Sequence, residues 1–345
     1  MIAKVILGLL AALTVACAAS AQTVPLVTEE MMVKAADPGI DIFVRNKRPA
    51  SMTAFRPERT VLFVHGATYP AHTTFDMRLD GQSWMEYIAA RGYDVYLLDI
   101  RGYGKSTRPK EMSEDAQKNP PIVRGETAVK DIGSVVDFIL ARRNIARLNL
   151  LAHSWGSTLM ATYTTQNATK VERLALYAPP WIRQTASLVQ AGPGPLGAYR
   201  TVRREQALGR WMTGVPEPKK ASLIPAGWFD TWADAVFASD PDGAKMTPPV
   251  LRAPNGVVQD GLEFFGAGKP YYDPAKITVP TLLVLAEWDR DTPTYMAQTL
   301  FPLLVNAPGK RMVTLAEGTH SIVLEKNRME LFRAVQAFFD EANGS

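Results

Sequence analysis

Short apolar runs alternate along the chain with longer stretches in which apolar residues recur at helical spacing. Apolar runs bounded by Gly, Pro or polar residues are typical of buried β-strands. They predict strands at residues 40–44, 60–64, 93–99, 148–152, 171–177, 281–285 and 311–315. The helical patterns lie at residues 83–91, 128–144, 157–166, 293–304 and 324–342. This alternation predicts the α/β class, with a mostly parallel sheet and helices on both of its faces.

Residues 179–273 interrupt the alternation. They are rich in Pro and Gly, and no run within them predicts a strand. Their four tryptophans are Trp181, Trp211, Trp228 and Trp232. Because flexible linkers lack so many aromatic residues, we interpret this segment as a compact cap over one end of the sheet. The predicted core is therefore discontinuous, with residues 22–178 before the cap and residues 274–345 after it.

The first 21 residues have the composition of a secretory signal peptide. Lys4 precedes an apolar run at residues 5–19, and Ala-Ser-Ala at residues 19–21 offers the small side chains that a signal peptidase recognises. We therefore predict cleavage before Gln22 and export to the periplasm or the medium. The apolar run is shorter than the roughly 20 residues that span a bilayer, so we expect no stable membrane insertion.

Cys17 is the only cysteine, and it lies within the predicted signal peptide. Removal of that segment leaves a chain without thiols or disulfides, whose stability must come from its core. Attachment of a lipid to Cys17 is the alternative, but Thr14 stands where a lipoprotein signal carries a large aliphatic residue.

Composition and charge exclude several classes of protein and of binding partner. Of the 345 residues, 47% are apolar and 21% charged, which excludes disordered, collagen-like and coiled-coil chains. The formal net charge is +4, and the basic pairs at 142–143, 203–204 and 219–220 are short and scattered. A small-molecule substrate is therefore expected rather than a nucleic acid. The sequence leaves the oligomeric state open.

Ser154 lies where a predicted strand passes into a predicted helix. The residues around it read Ala152-His153-Ser154-Trp155-Gly156. Small residues two positions before and after a serine fit a turn so tight that larger side chains would strike the neighbouring backbone. This pattern is similar to G-x-S-x-G, with Ala152 at the first position. It predicts Ser154 as a nucleophile.

A nucleophilic serine needs a base, and the chain has four histidines: His65, His72, His153 and His320. His320 follows the last predicted strand, and the carboxyl ends of parallel strands meet at one edge of a sheet. His153 adjoins Ser154 but is expected to point away from it at the turn. We therefore predict His320 as the base.

The acid that orients the base is expected after the strand at 281–285, where Asp289 and Asp291 compete. Asp289 is nearer the strand. Asp291 precedes Thr292, the predicted N-cap of a helix with Pro293 at its first position, so Asp291 is expected to face the helix start. We predict Asp289 as the acid.

These motifs resemble those of the α/β-hydrolase superfamily, which uses the same order of serine, acid and histidine. Asp99-Ile100-Arg101-Gly102-Tyr103-Gly104-Lys105-Ser106 resembles its D-x-R-G-x-G-x-S turn, and His65-Gly66 its oxyanion loop. The resemblance covers nearly all of the chain after residue 21. It implies an eight-stranded, mostly parallel sheet with an inserted cap.

The resemblance also implies roles for the site residues. Ser154 attacks an acyl carbon, His320 takes its proton, and Asp289 fixes the histidine tautomer. The backbone N–H groups of Ala67 and Trp155 hold the oxyanion.

No cofactor or metal is expected. Asp99 stands where a P-loop ending at Gly104-Lys105-Ser106 needs its first glycine, and residues 102–104 lack the third glycine of a dinucleotide fingerprint. The histidines are too scattered for a metal cluster.

The predicted function is that of an exported serine hydrolase that cleaves carboxylic esters. A peptidase or a carbon–carbon hydrolase with the same triad remains an alternative, and a non-catalytic binding protein on this fold is an alternative of another class. Residues 153–159 resemble the elbow of proline iminopeptidases, whose oxyanion loop reads like H-G-G-P-G, whereas residues 65–69 read H-G-A-T-Y. Those enzymes hold a free amino terminus with cap carboxylates. That role could not be assigned to Glu205, Glu217 or Glu263.

The cap aromatics favour bulky or aromatic ester substrates. Trp181, Trp228 and Trp232 are the predicted substrate-binding residues, because aromatic walls bury apolar acyl or aryl groups. The alternative is that they form the cap's own small core.

Overall fold

The computed structural model describes residues 24–190 and 194–342. The predicted signal peptide lies outside the described residues. The strands are β1 (Leu26–Lys34), β2 (Asp41–Pro49), β3 (Thr60–Val64), β4 (Asp94–Leu98), β5 (Leu148–His153), β6 (Val171–Tyr177), β7 (Tyr199–Val202), β8 (Leu251–Pro254), β9 (Thr281–Ala286) and β10 (Arg311–Leu315). The α-helices are α1 (Ala71–Phe75), α2 (Trp84–Ala89), α3 (Gly125–Arg143), α4 (Trp155–Asn167), α5 (Arg204–Trp211), α6 (Glu217–Leu223), α7 (Trp228–Ala238), α8 (Gly256–Glu263), α9 (Thr294–Leu300) and α10 (Arg328–Asp340).

Eight strands form one sheet in the order β1-β2-β4-β3-β5-β6-β9-β10. Every pair from β4 to β10 is parallel, whereas β2 is antiparallel to both β1 and β4. The central strands β3, β6 and β9 are buried along their whole length, as expected for a sheet covered on both faces. The predicted fold class is confirmed.

Alternate side chains of the central strands point into two separate apolar layers. Leu62 and Val64 of β3 point into a layer formed with α3, α4 and α9, whereas Val61 and Phe63 point into a layer formed with α1, α2 and α10. In the second layer the rings of Trp84 and Phe332 stack 5.0 Å apart. This packing on both sides fixes the carboxyl ends of the strands, which carry the site.

The edge strand β1 was not among the predicted strands. Its sequence, LVTEEMMVK, carries charged residues within the strand, and only Val33 among its nine residues is buried. Backbone pairing with β2, from Leu26 opposite Pro49 to Lys34 opposite Asp41, fixes it as a strand. An edge strand that buries little apolar surface leaves only a weak pattern in the sequence.

The segment between β6 and β9 was predicted to contain no strand, and this prediction was wrong. β7 and β8 form a two-stranded antiparallel sheet in which Tyr199 lies opposite Pro254. Helices α5 to α8 also lie within this segment. Both strands have only four residues, too short to give a clear apolar run. No helix within residues 24–190 and 194–342 is both long and apolar enough to cross a membrane.

Candidate active site

Ser154 lies at the turn between β5 and α4 with φ 56° and ψ −124°. This positive φ is rare for a residue with a side chain, and the N–H of Ser154 is held by the carbonyl of Tyr177 at 2.9 Å. A Cβ atom on Gly156 would lie 2.4 Å from the carbonyl oxygen of His65, so only glycine fits there. The close packing of α4 against the end of β3 therefore explains why the residue two positions after Ser154 is glycine.

The structure brings Asp289 and His320 into direct contact. Asp289 follows β9, His320 follows β10, and Nδ1 of His320 lies 2.7 Å from Oδ2 of Asp289. The carboxylate accepts the Nδ1 proton, which leaves Nε2 free to accept a proton. Ser154 and His320 both line one small cavity. All three predicted triad residues therefore meet at the same edge of the sheet.

Asp289 is only 2% exposed, and hydrogen bonds reach both of its oxygens. Oδ1 accepts from the backbone N–H groups of Asp291 (2.8 Å) and Thr292 (2.9 Å), and Oδ2 also accepts from the Thr292 hydroxyl at 2.7 Å. Burial alone would raise the pKa of Asp289, but the charge of His320 and these hydrogen bonds lower it. The carboxylate is therefore ionised and held in one orientation.

The environment of His320 favours its protonated form. Burial lowers the pKa of His320, but the charges of Asp289 and Asp291 and the hydrogen bond to Asp289 outweigh burial, so the pKa lies above its ordinary value of 6.5. A site that stabilises imidazolium stabilises the state formed when the serine proton is taken.

Asp291 does not face the start of a helix, so that prediction was wrong. Its two carboxylate oxygens lie 3.0 and 3.1 Å from Nε of Arg210, a residue of α5. Thr292 is not an N-cap either, because α9 begins at Thr294 with Pro293 in the N-cap position. The Thr292 hydroxyl binds Asp289 instead. The short chain after β9 thus supplies two buried carboxylates with different partners.

His153 has a supporting contact that sequence reasoning missed. Its Nε2 lies 3.1 Å from the backbone carbonyl of His320, which also accepts a hydrogen bond from the Tyr177 hydroxyl. The His153 ring stacks on Tyr177 with centroids 4.5 Å apart. Burial, followed by the charge of His320, lowers the pKa of His153 well below its ordinary value, so the ring is neutral and Nε2–H is the donor. The position of His153 beside Ser154 was its only signal in the sequence.

His65 fixes the backbone of the loop after β3. The N–H of Ile100 donates to Nε2 of His65 at 3.0 Å, so Nδ1 carries the proton and donates to the Gly66 carbonyl at 2.7 Å. Burial lowers the pKa of His65 to about 4, which keeps the ring neutral. A Cβ on Gly66 would lie 3.0 Å from the Cβ of Ser154, so the loop backbone lies directly against the serine.

Ala67 and Trp155 line a cavity together with Ser154. Within residues 24–190 and 194–342, neither of their backbone N–H groups donates a hydrogen bond to another protein group. The N–H of Trp155 also lies at the start of α4, where the helix dipole favours negative charge. The two predicted donors are therefore available to an oxyanion.

Two cavities of very different size adjoin Ser154. The smaller, of about 40 Å³, lies between His320 and the cap residues Arg210, Trp211 and Trp232. The larger, of about 620 Å³, is lined mostly by cap residues, polar ones at positions 183–185 and 187 and apolar ones that include Val257, Val258, Leu262, Phe265 and Tyr271. A cavity of that size matches those that bind small organic ligands.

The three predicted substrate-binding tryptophans do not lie together. Trp232 lines the smaller cavity, is 1% exposed, and packs against Tyr69 with ring centroids 4.7 Å apart. Trp181 packs against Tyr272, and Trp228 lies under the guanidinium of Arg328 at 4.4 Å. Neither Trp181 nor Trp228 lines either of the two cavities.

Asp289, Asp291 and His320 also offer ligand atoms that lie within 4.8 Å of one another, close enough for a metal ion. Each carboxylate is already engaged, Asp289 by His320 and Asp291 by Arg210. The Arg210 guanidinium also places a positive charge beside the cluster, which opposes a second cation. This arrangement fits proton transfer better than metal coordination.

Comparison with known proteins shows the family to which this fold belongs. Residues 59–326 match the model of the family described as alpha/beta hydrolase fold. The chain is 31% identical over 87 residues to the Abhydrolase domain-containing protein abhd-5.2 of Caenorhabditis elegans, and 31% identical over 100 residues to Lipase member N of Homo sapiens. These matches cover 25% and 26% of this chain and only 17% and 24% of those relatives.

Among solved structures, a thermophilic esterase from Thermogutta terrifontis superposes with a TM-score of 0.60 at 14% identity, covering 90% of this chain and 97% of the esterase. At this identity the likeness concerns the fold. Together with the family match over most of its length, the sheet, the turn at Ser154 and the order of the site residues show that the chain belongs to the α/β hydrolase-fold family.

Proposed function

We propose that this protein is an exported serine hydrolase that cleaves carboxylic esters of bulky apolar or aromatic groups through an acyl-enzyme. Ser154 attacks the ester carbonyl while His320 takes the hydroxyl proton, and the N–H groups of Ala67 and Trp155 receive the negative charge on the carbonyl oxygen. His320 then protonates the leaving alcohol, and water attacks the acyl-enzyme by the reverse route.

One observation carries this proposal. The backbone of Ser154 has a positive φ, and this residue shares a cavity with His320. Nδ1 of His320 lies 2.7 Å from the buried carboxylate of Asp289. A binding protein has no need to keep a serine backbone in an unfavourable conformation beside such a pair. The similarity of 100 residues to part of a lipase supports ester chemistry.

The larger cavity supports a bulky apolar substrate group. Its volume of about 620 Å³ far exceeds what an acetyl group fills, and the cap contributes Val257, Val258, Phe265 and Tyr271 to its wall. Each methylene group buried there contributes about 0.8 kcal/mol to binding.

The carboxylates near Ser154 argue against an aminopeptidase. Such an enzyme needs a free carboxylate to hold a substrate ammonium group, yet Asp291 is paired with Arg210, and Asp260 is bonded by Arg124 and by the Gly125 N–H. Three other cap carboxylates that could have served, Glu205, Glu217 and Glu263, line neither cavity. The site is therefore better suited to a neutral ester.

Export is the part of the proposal that rests on the sequence alone. It is supported by the charged start, the apolar run and the Ala-Ser-Ala cleavage site within residues 1–21.

The test compares two series of chromogenic substrates on the purified protein. We expect turnover of 4-nitrophenyl butyrate and octanoate, with no turnover of aminoacyl 4-nitroanilides, and loss of ester turnover in Ser154→Ala. Faster cleavage of the anilides would indicate a peptidase. A folded wild-type protein that cleaves neither series, and in which Ser154 resists acylation, would contradict hydrolase function.

A further inference from the structure

Arg200 connects the cap to the loop that holds Ala67. It lies on β7, is 6% exposed, and its Nη2 donates to the Ala67 carbonyl at 2.7 Å and to the Thr68 hydroxyl at 3.0 Å. Its Nη1 donates to the carbonyl of Pro254 on β8 at 2.6 Å. One side chain therefore binds both strands of the cap sheet and the loop beside Ser154.

Within residues 24–190 and 194–342, no counter-charge contacts Arg200 directly. Among the residues that the structure describes, no carboxylate forms an ion pair with it, and its hydrogen-bond acceptors are carbonyl and hydroxyl oxygens. Burial lowers the pKa of Arg200. Burying an arginine without a carboxylate costs free energy, so cap stability alone does not explain why a cation occupies this position.

Arg252 on the neighbouring strand provides the contrast. It is also 6% exposed and lies in the same two-stranded sheet, opposite Thr201. Its guanidinium, however, binds Asp240 and Asp242, at 2.7 and 3.1 Å from Nη2. Of these two buried arginines, Arg252 is therefore paired with carboxylates, whereas Arg200 donates its hydrogen bonds to uncharged groups, including those of the loop.

The contacts of Arg200 help to set the direction in which the Ala67 N–H points. The Gly66 carbonyl is held by His65, and the Ala67 carbonyl is held by both Arg200 and the Tyr103 hydroxyl, which lies 2.9 Å away. A peptide group is planar, with its C=O and N–H on opposite sides, so fixing these two carbonyls fixes both peptides that flank Ala67. The positive charge behind the loop also favours negative charge in front of it.

We propose that Arg200 is a positioning residue for the oxyanion hole, supplied by the cap, which holds the Ala67–Thr68 backbone so that the Ala67 N–H faces the substrate oxygen. This inference rests on the proposed function. It makes the cap a part of the catalytic arrangement as well as a wall of the substrate cavity, because an undocked cap would withdraw one of the two groups that hold the Ala67 carbonyl.

The test compares Arg200→Met with Arg252→Met, which removes an equally buried cap arginine that does not touch the loop. For 4-nitrophenyl butyrate we expect Arg200→Met to lower kcat by about 10- to 100-fold with little change in KM, less than the loss of an oxyanion donor itself. The rate of Ser154 labelling by a fluorophosphonate, whose oxygen occupies the same hole, should fall by a similar factor. Arg252→Met should lower the melting temperature at least as much while largely keeping kcat.

Arg200→Lys separates positioning from folding. Lysine keeps the charge and can reach the Ala67 carbonyl, but it cannot bind Thr68 and Pro254 in the same fork, so its kcat should lie between those of wild type and Arg200→Met. If Arg200→Met does not fold, a reduced kcat at unchanged KM in Arg200→Lys still supports the proposal.

Two results would overturn the inference: equal kcat for the Arg200→Met and Arg252→Met variants, or an unchanged kcat in Arg200→Lys where Arg200→Met does not fold. Either leaves the proposed function intact, because the wild type remains an active esterase. A wild-type protein that neither cleaves the ester nor reacts with the fluorophosphonate overturns both.

Discussion

The hydrogen bonds of Asp289 determine what its replacement by asparagine would do. Oδ1 receives two backbone N–H groups, and Oδ2 receives Nδ1–H of His320 and the Thr292 hydroxyl. An asparagine NH₂ at the Oδ1 position would face two N–H donors. At the Oδ2 position it would donate to Nδ1 of His320, so the ring proton would move to Nε2. The second arrangement costs less, and it leaves His320 unable to accept the proton of Ser154.

The size of the loss follows from the charge that is removed. Two unit charges about 4 Å apart in a medium of effective dielectric constant about 20 attract by about 4 kcal/mol. Loss of that stabilisation of the imidazolium corresponds to about 10³ in rate, since each 1.36 kcal/mol is about tenfold. Loss of the productive tautomer adds to this, so we expect kcat to fall by about 10³- to 10⁴-fold.

The assay is steady-state hydrolysis of 4-nitrophenyl butyrate at pH 8, with the melting temperature measured to show that the variant is folded. Asp291→Asn is the matched control, because it makes the same change two residues along, on a carboxylate bound to Arg210. Removing the Asp291 charge lowers the pKa of His320, and the Arg210 charge that remains acts in the same direction. We therefore expect the control to keep most of its kcat and to move the acidic limb of the pH profile to lower pH. Equal losses in the two folded variants, or a larger loss in Asp291→Asn, would refute the assignment of Asp289.

Four further outcomes are expected. Val257→Trp, which fills the larger cavity, should reduce kcat/KM for 4-nitrophenyl octanoate while sparing the acetate; equal effects on both esters would argue against this cavity as the acyl site. Trp232→Ala should lower the free energy of unfolding by about 3–5 kcal/mol, because the ring is buried among aromatic neighbours; a melting temperature close to that of wild type would contradict this packing. Burial raises the pKa of Glu325 to about 7 from 4.5, so its contribution to stability is complete below pH 4.5 and is lost as the pH rises to 7. The difference between the two pKa values corresponds to about 3 kcal/mol of unfolding free energy. In urea titrations between pH 4.5 and 8, the unfolding free energy of Glu325→Gln should therefore fall by about that much less than that of wild type; equal falls in the two proteins would refute this. Mass spectrometry of the exported protein should show an N-terminus at Gln22, whereas a chain that begins at a lipid-modified Cys17 would contradict the predicted cleavage.

The central strands and the strand-end motifs could be predicted because each is encoded by neighbours in sequence. The run at 60–64 is a strand at the predicted residues, and Gly156 after Ser154 reflects a close approach of α4 to β3. By contrast, Glu29 and Glu30 interrupt the apolar run of β1, and this strand depends on its pairing with β2. The other edge strand, β10, has the predicted bounds 311–315 although most of it is exposed, so an uninterrupted run of strand-forming residues matters more than position in the sheet.

The site contacts of Arg200, His153 and Asp291 could not be predicted, because they join residues that are distant in sequence. Arg200 reaches Ala67 across 133 positions, and His153 reaches the His320 carbonyl across 167. Asp291 was placed by a local rule for helix starts, which its contact with Arg210 of the cap overrides. These are tertiary contacts of polar groups, for which the sequence carries no periodic signal.

The most direct test of Ser154 as the nucleophile is its covalent reaction. The purified protein is treated with a fluorophosphonate and digested, and the modified peptide is identified by mass spectrometry. We expect a single phosphonyl group on Ser154, prevented by Ser154→Ala and strongly slowed in Asp289→Asn. A folded protein that takes up no phosphonyl group, or takes it up at another serine while ester hydrolysis persists in Ser154→Ala, would contradict it.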